Sequence, residues 1–358
     1  MPKTIQYVHV VPTRAATGDL AEVYRQAKRE MGLLPEAVTM FSADPELATA
    51  AWAPFRESLL ATGEAPRATK EAVAATVSVL NECPYCVDAH TIMLYGSGGA
   101  SFATGLLSGG VDGGEPELRA VADWVRAVAV RPDAPVPAPF PAAAVPEILG
   151  TFAHFQFLNR AIDVLLDGTF LPGSEQARGI ARKIAGRVMA RRIRAEKVPG
   201  RAVGLVPGTP PADLAWAAPS AAVGSAFTML ADATGQAGQR SVPPAAMELV
   251  EQALAGWDGR FPGPSRAWLT DLLAPLPAVD RPAGRLALLT ALAPFQTTPA
   301  DVEAYRADRP ADADLLGLVG WASFAAARRI AAWAVPAPAP GSAAAPDPIP
   351  APESTPAG

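Results

Sequence analysis

Apolar residues in the first half of the chain recur every three to four positions, which is the spacing of amphipathic helices. The segment 18–31 shows the pattern clearly, with one apolar face formed by Leu20, Val23, Tyr24, Ala27 and Met31. The same spacing, together with cap residues, prolines and glycines, predicts helices over 44–62, 66–80, 83–96, 100–107, 115–130 and 147–166. No long stretch alternates with period two, so the predicted fold class is all-α.

Proline and basic residues divide the rest of the chain. Six prolines between positions 132 and 146 predict a stiff, non-helical connection. Nine Lys and Arg residues in 178–201, with aliphatic residues between them, predict a helix with one apolar and one charged face. Such charge is typical of a solvated helix face, although an acidic partner or a nucleic acid would also fit. Further prolines at 199 and 207–211 indicate a linker.

Composition excludes several classes of protein. The 358-residue chain is long enough for two domains, and its 50% hydrophobic content allows a substantial core. A formal net charge of −5 argues against a general affinity for nucleic acid. The N-terminus lacks a signal-peptide core, and Arg328 and Arg329 interrupt the most apolar tract near the C-terminus. We therefore expect a cytoplasmic protein with no membrane partner, in which cysteines stay reduced.

Both cysteines of the chain, Cys83 and Cys86, lie in one short segment, and His90 follows four residues later. Pro84 suits the first turn of a helix, and a helix beginning near Cys83 places Cys86 and His90 one turn apart on one face. The positive end of a helix lowers the pKa of a thiol and favours the reactive thiolate. Glu71 lies on the preceding predicted helix, which can fold back behind the imidazole. The segment therefore predicts a dithiol with an acid–base pair.

Other uses of a Cys-x2-Cys pair fit the sequence less well. Structural zinc needs four ligands, and the remaining histidines, His9 and His154, are remote and in apolar surroundings. We interpret His154 as a core histidine rather than a polar group in the wall of the site. A thioredoxin-like site requires a βαβ pattern, and a structural disulfide this short restrains little of the unfolded chain. A redox-active dithiol without a metal ion is the better interpretation.

The order Glu-x11-Cys-x2-Cys-x3-His resembles the active-site signature of the alkylhydroperoxidase D family, within the carboxymuconolactone decarboxylase superfamily. All four positions are present, as Glu71, Cys83, Cys86 and His90. The resemblance extends over about residues 15–170 and includes the aromatic-rich helix at 147–166, which contains Asn159-Arg160 and is similar to a helix of the family that ends in Asn-Arg. We expect this helix to pack against the cysteine helix and to form a wall of the site.

The resemblance implies a specific chemistry. In that family the second cysteine, here Cys86, attacks a hydroperoxide and becomes a sulfenic acid. The first, here Cys83, supplies a proton and then closes a disulfide, while Glu71 and His90 form the proton relay. No cofactor is bound; an external dithiol or a lipoyl-bearing protein is the reductant, and the chain is expected to form a homo-oligomer. One position departs from the pattern, because the best-known members carry a second histidine where this chain has Tyr85.

The second half of the chain can be aligned with the first. Residues 298–305 align without a gap with 83–90, and apolar helical segments lie upstream and downstream of both. In this register every chemical residue is replaced, with Thr298, Asp301, Tyr305 and Leu286 in place of Cys83, Cys86, His90 and Glu71. We predict two tandem helical repeats, a catalytic domain at 1–205 and a degenerate copy at 212–335. Residues 336–358 are a Pro/Ala-rich segment predicted to be disordered.

The leading hypothesis is therefore a thiol-dependent hydroperoxide reductase. A second enzyme class, the lactone decarboxylases of the same superfamily, does not need the dithiol. A third possibility is a non-enzymatic redox sensor, whose disulfide state alters an interface near the basic segment. Steady turnover of hydroperoxide with excess dithiol distinguishes an enzyme from a sensor, which oxidises once and stops.

Overall fold

The computed structural model describes residues 5–108 and 114–336. Within these ranges the protein is all-α, as predicted, and β-type pairing is limited to one bridge between Ile5 and Leu166. The α-helices of the described ranges are α1 Gly18–Met31, α2 Glu36–Thr39, α3 Pro45–Pro54, α4 Arg67–Leu80, α5 Pro84–Ser97, α6 Ala100–Leu107, α7 Pro116–Ala129, α8 Val145–Leu165, α9 Glu175–Ile193, α10 Ala221–Ser241, α11 Pro244–Gly256, α12 Trp268–Leu273, α13 Arg281–Leu292, α14 Pro299–Arg306 and α15 Asp312–Ala334. The tail predicted to be disordered lies outside the described residues from position 337 onward.

Local sequence signals set the ends of the first helices. The Asp44 side chain accepts a hydrogen bond from the Leu47 N–H at 3.1 Å and so caps the start of α3. Pro84 occupies the first turn of α5, where its missing N–H leaves no bond unmade. Gly98 ends α5 with a φ of 115°, a conformation that favours glycine.

Two prolines behave differently from the prediction. The helix predicted over 44–62 stops being regular at Pro54, and the chain widens into a π-helical turn, Phe55–Leu60. The physical reason is that proline has no N–H to donate and its ring crowds the preceding turn. Pro146 is the last of the six prolines that predict a non-helical connection. In the structure it lies in the first turn of α8, where proline is tolerated.

Helix α8 lies at the centre of the fold, because it packs against α4 on one side and α15 on the other. The aromatic side chains at this contact join the two halves of the chain. Phe157 of α8 stacks on Phe41 with ring centroids 5.9 Å apart, and it meets Phe324 of α15 edge-on at 5.9 Å. Phe227 of α10 lies over the other side of Phe324. One hydrophobic core therefore contains residues from both halves.

Helix α9 packs along α5 and departs in part from the predicted burial of the basic segment. Gly186 lies so close to α5 that a Cβ there would be 2.5 Å from the Tyr95 Cβ. Arg182 is buried, and its Nε donates to Asp88 Oδ1 of α5 at 2.8 Å. Three of the four aliphatic residues expected on a buried face are instead exposed, by 63%, 55% and 79% for Ile180, Ile184 and Val188, while the fourth, Ile193, is buried. Close backbone approach and one buried ion pair thus decide which face of α9 is covered.

The second half contains a helical hairpin, α13 and α14, at the predicted position. Thr298 is the N-cap of α14, and its N–H donates to Asp301 Oδ2 at 2.9 Å. Tyr305 is buried and donates to the Ser241 carbonyl at 2.9 Å, and Leu286 is fully buried. The residues at the positions of the dithiol, the histidine and the glutamate therefore make structural contacts in this hairpin. The assignment of 212–335 as a degenerate copy of 1–205 stays a prediction.

Within the described ranges, α15 is the one helix long and apolar enough to cross a membrane by length and composition. In this fold 78% of its most apolar window is buried inside the protein, where α15 packs on α8, α10 and α13. A helix at the centre of a globular core meets the same length and composition test.

Candidate active site

The dithiol lies at the turn between α4 and α5. Glu82 has a φ of 56°, which turns the chain sharply, and the Cys83 N–H donates to the Ser78 carbonyl at 3.0 Å. Cys83 is the N-cap of α5, and its carbonyl accepts the Val87 N–H at 3.0 Å. Cys86 lies inside the first turn. Both thiols are free and buried, with exposed fractions of 0% for Cys83 and 2% for Cys86.

Polar residues of α8 form hydrogen bonds with the turn between α4 and α5. Asn81 donates to Gln156 Oε1 and to Asn159 Oδ1, at 3.1 Å each. Arg160, which is also buried, donates through Nε to the Ala291 carbonyl of α13 at 2.9 Å. The Asn159-Arg160 pair of α8 therefore fixes the cysteine turn and connects it to the second half of the chain.

Glu71 lies between an arginine and the site histidine. Its Oε2 is 2.7 Å from His90 Nδ1, and its Oε1 accepts from Arg67 Nε at 2.7 Å. Burial alone would raise the pKa of this carboxyl, but the charges of Arg67 and His90 lower it below its usual value. The carboxylate therefore stays ionised and orients the imidazole. Sequence analysis did not identify Arg67, although its spacing of four residues from Glu71 was an available signal.

The pKa of the Cys83 thiol is raised, which is the opposite of the helix-dipole expectation. Burial is the main cause, and the neighbouring Cys86 thiol and the Asp163 carboxyl contribute further. The pKa of Asp163 is also raised, because burial outweighs the hydrogen bond with Cys83 and the charge of Arg160. The free-energy cost of burying a thiolate exceeds the electrostatic stabilisation that the helix terminus provides. Cys83 therefore keeps its proton at neutral pH.

Three of the four predicted site residues, Glu71, Cys86 and His90, line one pocket between α5, α8 and α9. The pocket wall is otherwise mostly aromatic and aliphatic, and it includes Phe41, Trp52, Phe55, Met93, Leu158 and Ile162. Cys83 does not line it and lies behind Cys86. Among the described residues, no group of three or more His, Cys, Asp or Glu side chains is placed to hold a metal ion.

Tyr85, which replaces the second histidine of the best-known relatives, closes one end of this pocket. Its hydroxyl donates to Glu36 Oε2 of α2 at 2.9 Å, and Phe170 meets its ring edge-on at 5.2 Å. Burial, and then the Glu36 charge, raise the pKa of Tyr85, so the hydroxyl stays protonated. The sequence offered no signal for the contact with Glu36, because it joins elements 49 residues apart.

His154 is both a buried histidine and part of the pocket wall. It is 1% exposed, and neither ring nitrogen has a hydrogen-bond partner among the described residues. Its ring centroid lies 5.7 Å from those of Phe55 and Phe157 and 5.8 Å from that of Phe155. Burial, with a contribution from His90, lowers the pKa of His154 to about 3, so the ring is neutral. The sequence interpretation as a core histidine missed its position in the pocket.

An all-α fold that buries a Cys-x2-Cys pair beside a Glu–His pair defines the alkylhydroperoxidase D-like class of peroxidase-type oxidoreductases. A model of the carboxymuconolactone decarboxylase family matches residues 46–127, which include the whole dithiol hairpin. The chain is also 44% identical over 333 residues, 92% of this chain and 95% of the relative, to an alkyl hydroperoxide reductase of Mycobacterium tuberculosis. No solved structure gives a significant match. The chain therefore belongs to the alkylhydroperoxidase D-like group of the carboxymuconolactone decarboxylase family.

Proposed function

We propose that this protein reduces organic hydroperoxides to alcohols with its own dithiol. The observation that carries the proposal is the convergence of Cys86, His90 and Glu71 on one apolar pocket, with the Glu71–His90 hydrogen bond at 2.7 Å. The 44% identity to an alkyl hydroperoxide reductase over nearly the whole chain supports the same reaction class. The mostly apolar wall favours a peroxide with an organic substituent over hydrogen peroxide.

In the first half-reaction Cys86 is the nucleophile, because it lines the pocket and Cys83 does not. His90 takes the Cys86 proton, and the ionised Glu71 stabilises the resulting imidazolium. The thiolate attacks the terminal peroxide oxygen, so an S–O bond forms while the O–O bond breaks. The leaving alkoxide takes the proton of Cys83 and departs as the alcohol. The raised pKa of Cys83 supports this role, since the thiol is protonated before reaction.

In the second half-reaction the Cys83 thiolate attacks the sulfenic sulfur of Cys86. A disulfide forms, and the departing hydroxide takes the proton held by His90 and leaves as water. The two steps consume one hydroperoxide and two thiols, and they yield one alcohol, one water and one disulfide. An external dithiol or a lipoyl-bearing protein then restores both thiols by exchange. In this proposal the chain holds no resident cofactor.

A turnover assay tests the proposal. Purified protein is mixed with cumene hydroperoxide and excess dihydrolipoamide, and the loss of peroxide is followed. We expect many turnovers per protein molecule and an intramolecular Cys83–Cys86 disulfide when the reductant is omitted. A single oxidation followed by no further consumption, with several dithiols tried, would instead indicate a redox sensor.

A further inference from the structure

The apolar pocket adjoins a groove whose charged side chains are mostly cationic. The residues that line both the pocket and the groove, so that the two spaces adjoin, are Glu30, Met31, Leu33, Met189, Arg192 and Lys197. Six cationic side chains line the groove, against two carboxylates, Glu30 and Glu196; the cations are Arg29, Arg56, Arg191, Arg192, Lys197 and Arg201. The whole chain has a net charge of −5. Positive charge is thus concentrated beside the candidate active site.

The cations at the boundary between pocket and groove differ in their partners. Arg56 is paired, with Nη1 2.8 Å from Glu57 and Nε 3.4 Å from Glu30. Arg192 and Lys197, by contrast, have no carboxylate within ion-pair distance in the described part of the chain. Lys197 is only 7% exposed, and its ammonium donates to the carbonyls of Arg192 and Ala195 at 3.0 Å each. Glu30 and Glu71 act on this ammonium only through space, without an ion pair. A nearly buried ammonium whose hydrogen bonds go only to carbonyls favours an anion that comes from outside the chain.

The distance from these cations to the dithiol is set by α5. Cys86 and Met93 line the pocket on one face of α5, and seven residues of helix span roughly 10 Å. Ile193, next to Arg192, lies against Gly96, and Arg194 Nε donates to the Gly96 carbonyl at 2.8 Å. The Ile193 end of α9 is therefore roughly 15 Å from Cys86 along the α5 axis. Lys197 lies closer to the site, near enough to Glu71 for their charges to interact. The wall between the two ends is mostly apolar.

We propose that the substrates are amphiphilic hydroperoxides whose anionic head group, a carboxylate or a phosphate, is bound by Arg192 and Lys197. The apolar chain of the substrate fills the pocket, and its peroxide group reaches Cys86. The proposal rests on the hydroperoxide reductase function and adds the substrate class. The head group contacts none of the reacting atoms. Its contacts therefore strengthen the binding of substrate and of transition state equally, and they act mainly through KM.

A matched pair of substrates tests the proposal. Linoleic acid 13-hydroperoxide and its methyl ester differ in the charge of the head group, and both are used below the concentration at which they aggregate. We expect kcat/KM for the acid to exceed that for the ester by about tenfold, the value of one partly exposed charged hydrogen bond. Arg192→Gln should lose most of this preference.

Two further variants separate local recognition from general charge. Arg187→Gln removes an exposed cation of the same helix that lines neither the pocket nor the groove, so it should keep the preference. Arg192→Glu should reverse it. Equal kcat/KM for acid and ester in the unmodified protein overturns the proposal. An equal loss of the acid preference in Arg187→Gln and Arg192→Gln also overturns the proposal, because the preference would then come from the general positive charge of the helix.

A binding measurement keeps this proposal distinguishable from the proposed function. Titration calorimetry with dodecanoate, dodecyl phosphate and dodecanol requires no chemistry at the dithiol. We expect at least one anion to bind about tenfold more tightly than the neutral alcohol, and the stronger anion identifies the head group. Loss of that difference in Arg192→Gln supports the assignment even if no peroxide is reduced. Equal affinity for all three ligands overturns it.

Discussion

The Glu71→Gln substitution tests the proton relay most directly. The change keeps the size of a side chain that is fully buried, and it removes the charge between Arg67 and His90. A charged hydrogen bond of this kind contributes about 1.5–3 kcal/mol. Loss of positioned proton transfer as a whole costs roughly 10²–10⁴-fold in rate. We expect kcat/KM for peroxide to fall by about 10²-fold or more.

The measurement is stopped-flow consumption of cumene hydroperoxide, with Glu82→Gln as the matched control. Glu82 adjoins Cys83 in sequence but is exposed and lines no part of the pocket, so its rate should change little. Circular dichroism confirms that both variants are folded. An undiminished rate in Glu71→Gln would show that the carboxylate is structural, and the relay described above would be wrong.

The same substitution has a consequence for stability against pH. Folding lowers the pKa of Glu71, so its carboxylate stabilises the folded state above the unfolded pKa of about 4.3. That contribution is lost as the pH falls through the lower folded pKa. Glu71→Gln should therefore be less stable than the unmodified protein at neutral pH, and the difference should shrink on acidification below about pH 4. Urea denaturation at several pH values measures both quantities, and a pH-independent difference contradicts the assignment.

Three further predictions concern the cysteines, His154 and the second half. Cys86→Ser should abolish turnover and Cys83→Ser should leave a sulfenic acid on Cys86; mass spectrometry that finds it on Cys83 instead reverses the roles. His154→Phe should keep or raise the melting temperature, because the imidazole makes no hydrogen bond to lose and its desolvation costs about 1–3 kcal/mol; a clear fall would mean that a ring nitrogen has a partner. Deletion of 212–358 should cause aggregation or new oligomers in size-exclusion chromatography, since it uncovers the Phe157 side of α8; a soluble, monomeric and active 1–211 fragment contradicts this.

The amino-acid sequence by itself determined the local elements of the site. Helical periodicity, the Asp44 cap and the prolines and glycines around α5 are signals between near neighbours, and each acts through backbone geometry that a few residues define. The spacing of Glu71, Cys83, Cys86 and His90 has the same character. Two adjacent antiparallel helices leave few ways to arrange these four side chains, so the Glu71–His90 contact followed from the hairpin.

Only the tertiary structure decided the properties that depend on surroundings. The pKa of Cys83 is raised because distant segments exclude water from a helix terminus that would otherwise lower it. Helix α9 exposes Ile180, Ile184 and Val188 because Gly186 and Arg182 contact α5 in their place. His154 and Lys197 reach the pocket from helices or loops far from the dithiol in sequence. Burial, electrostatic environment and cavity shape depend on residues from the whole fold, so a local sequence pattern does not predict them.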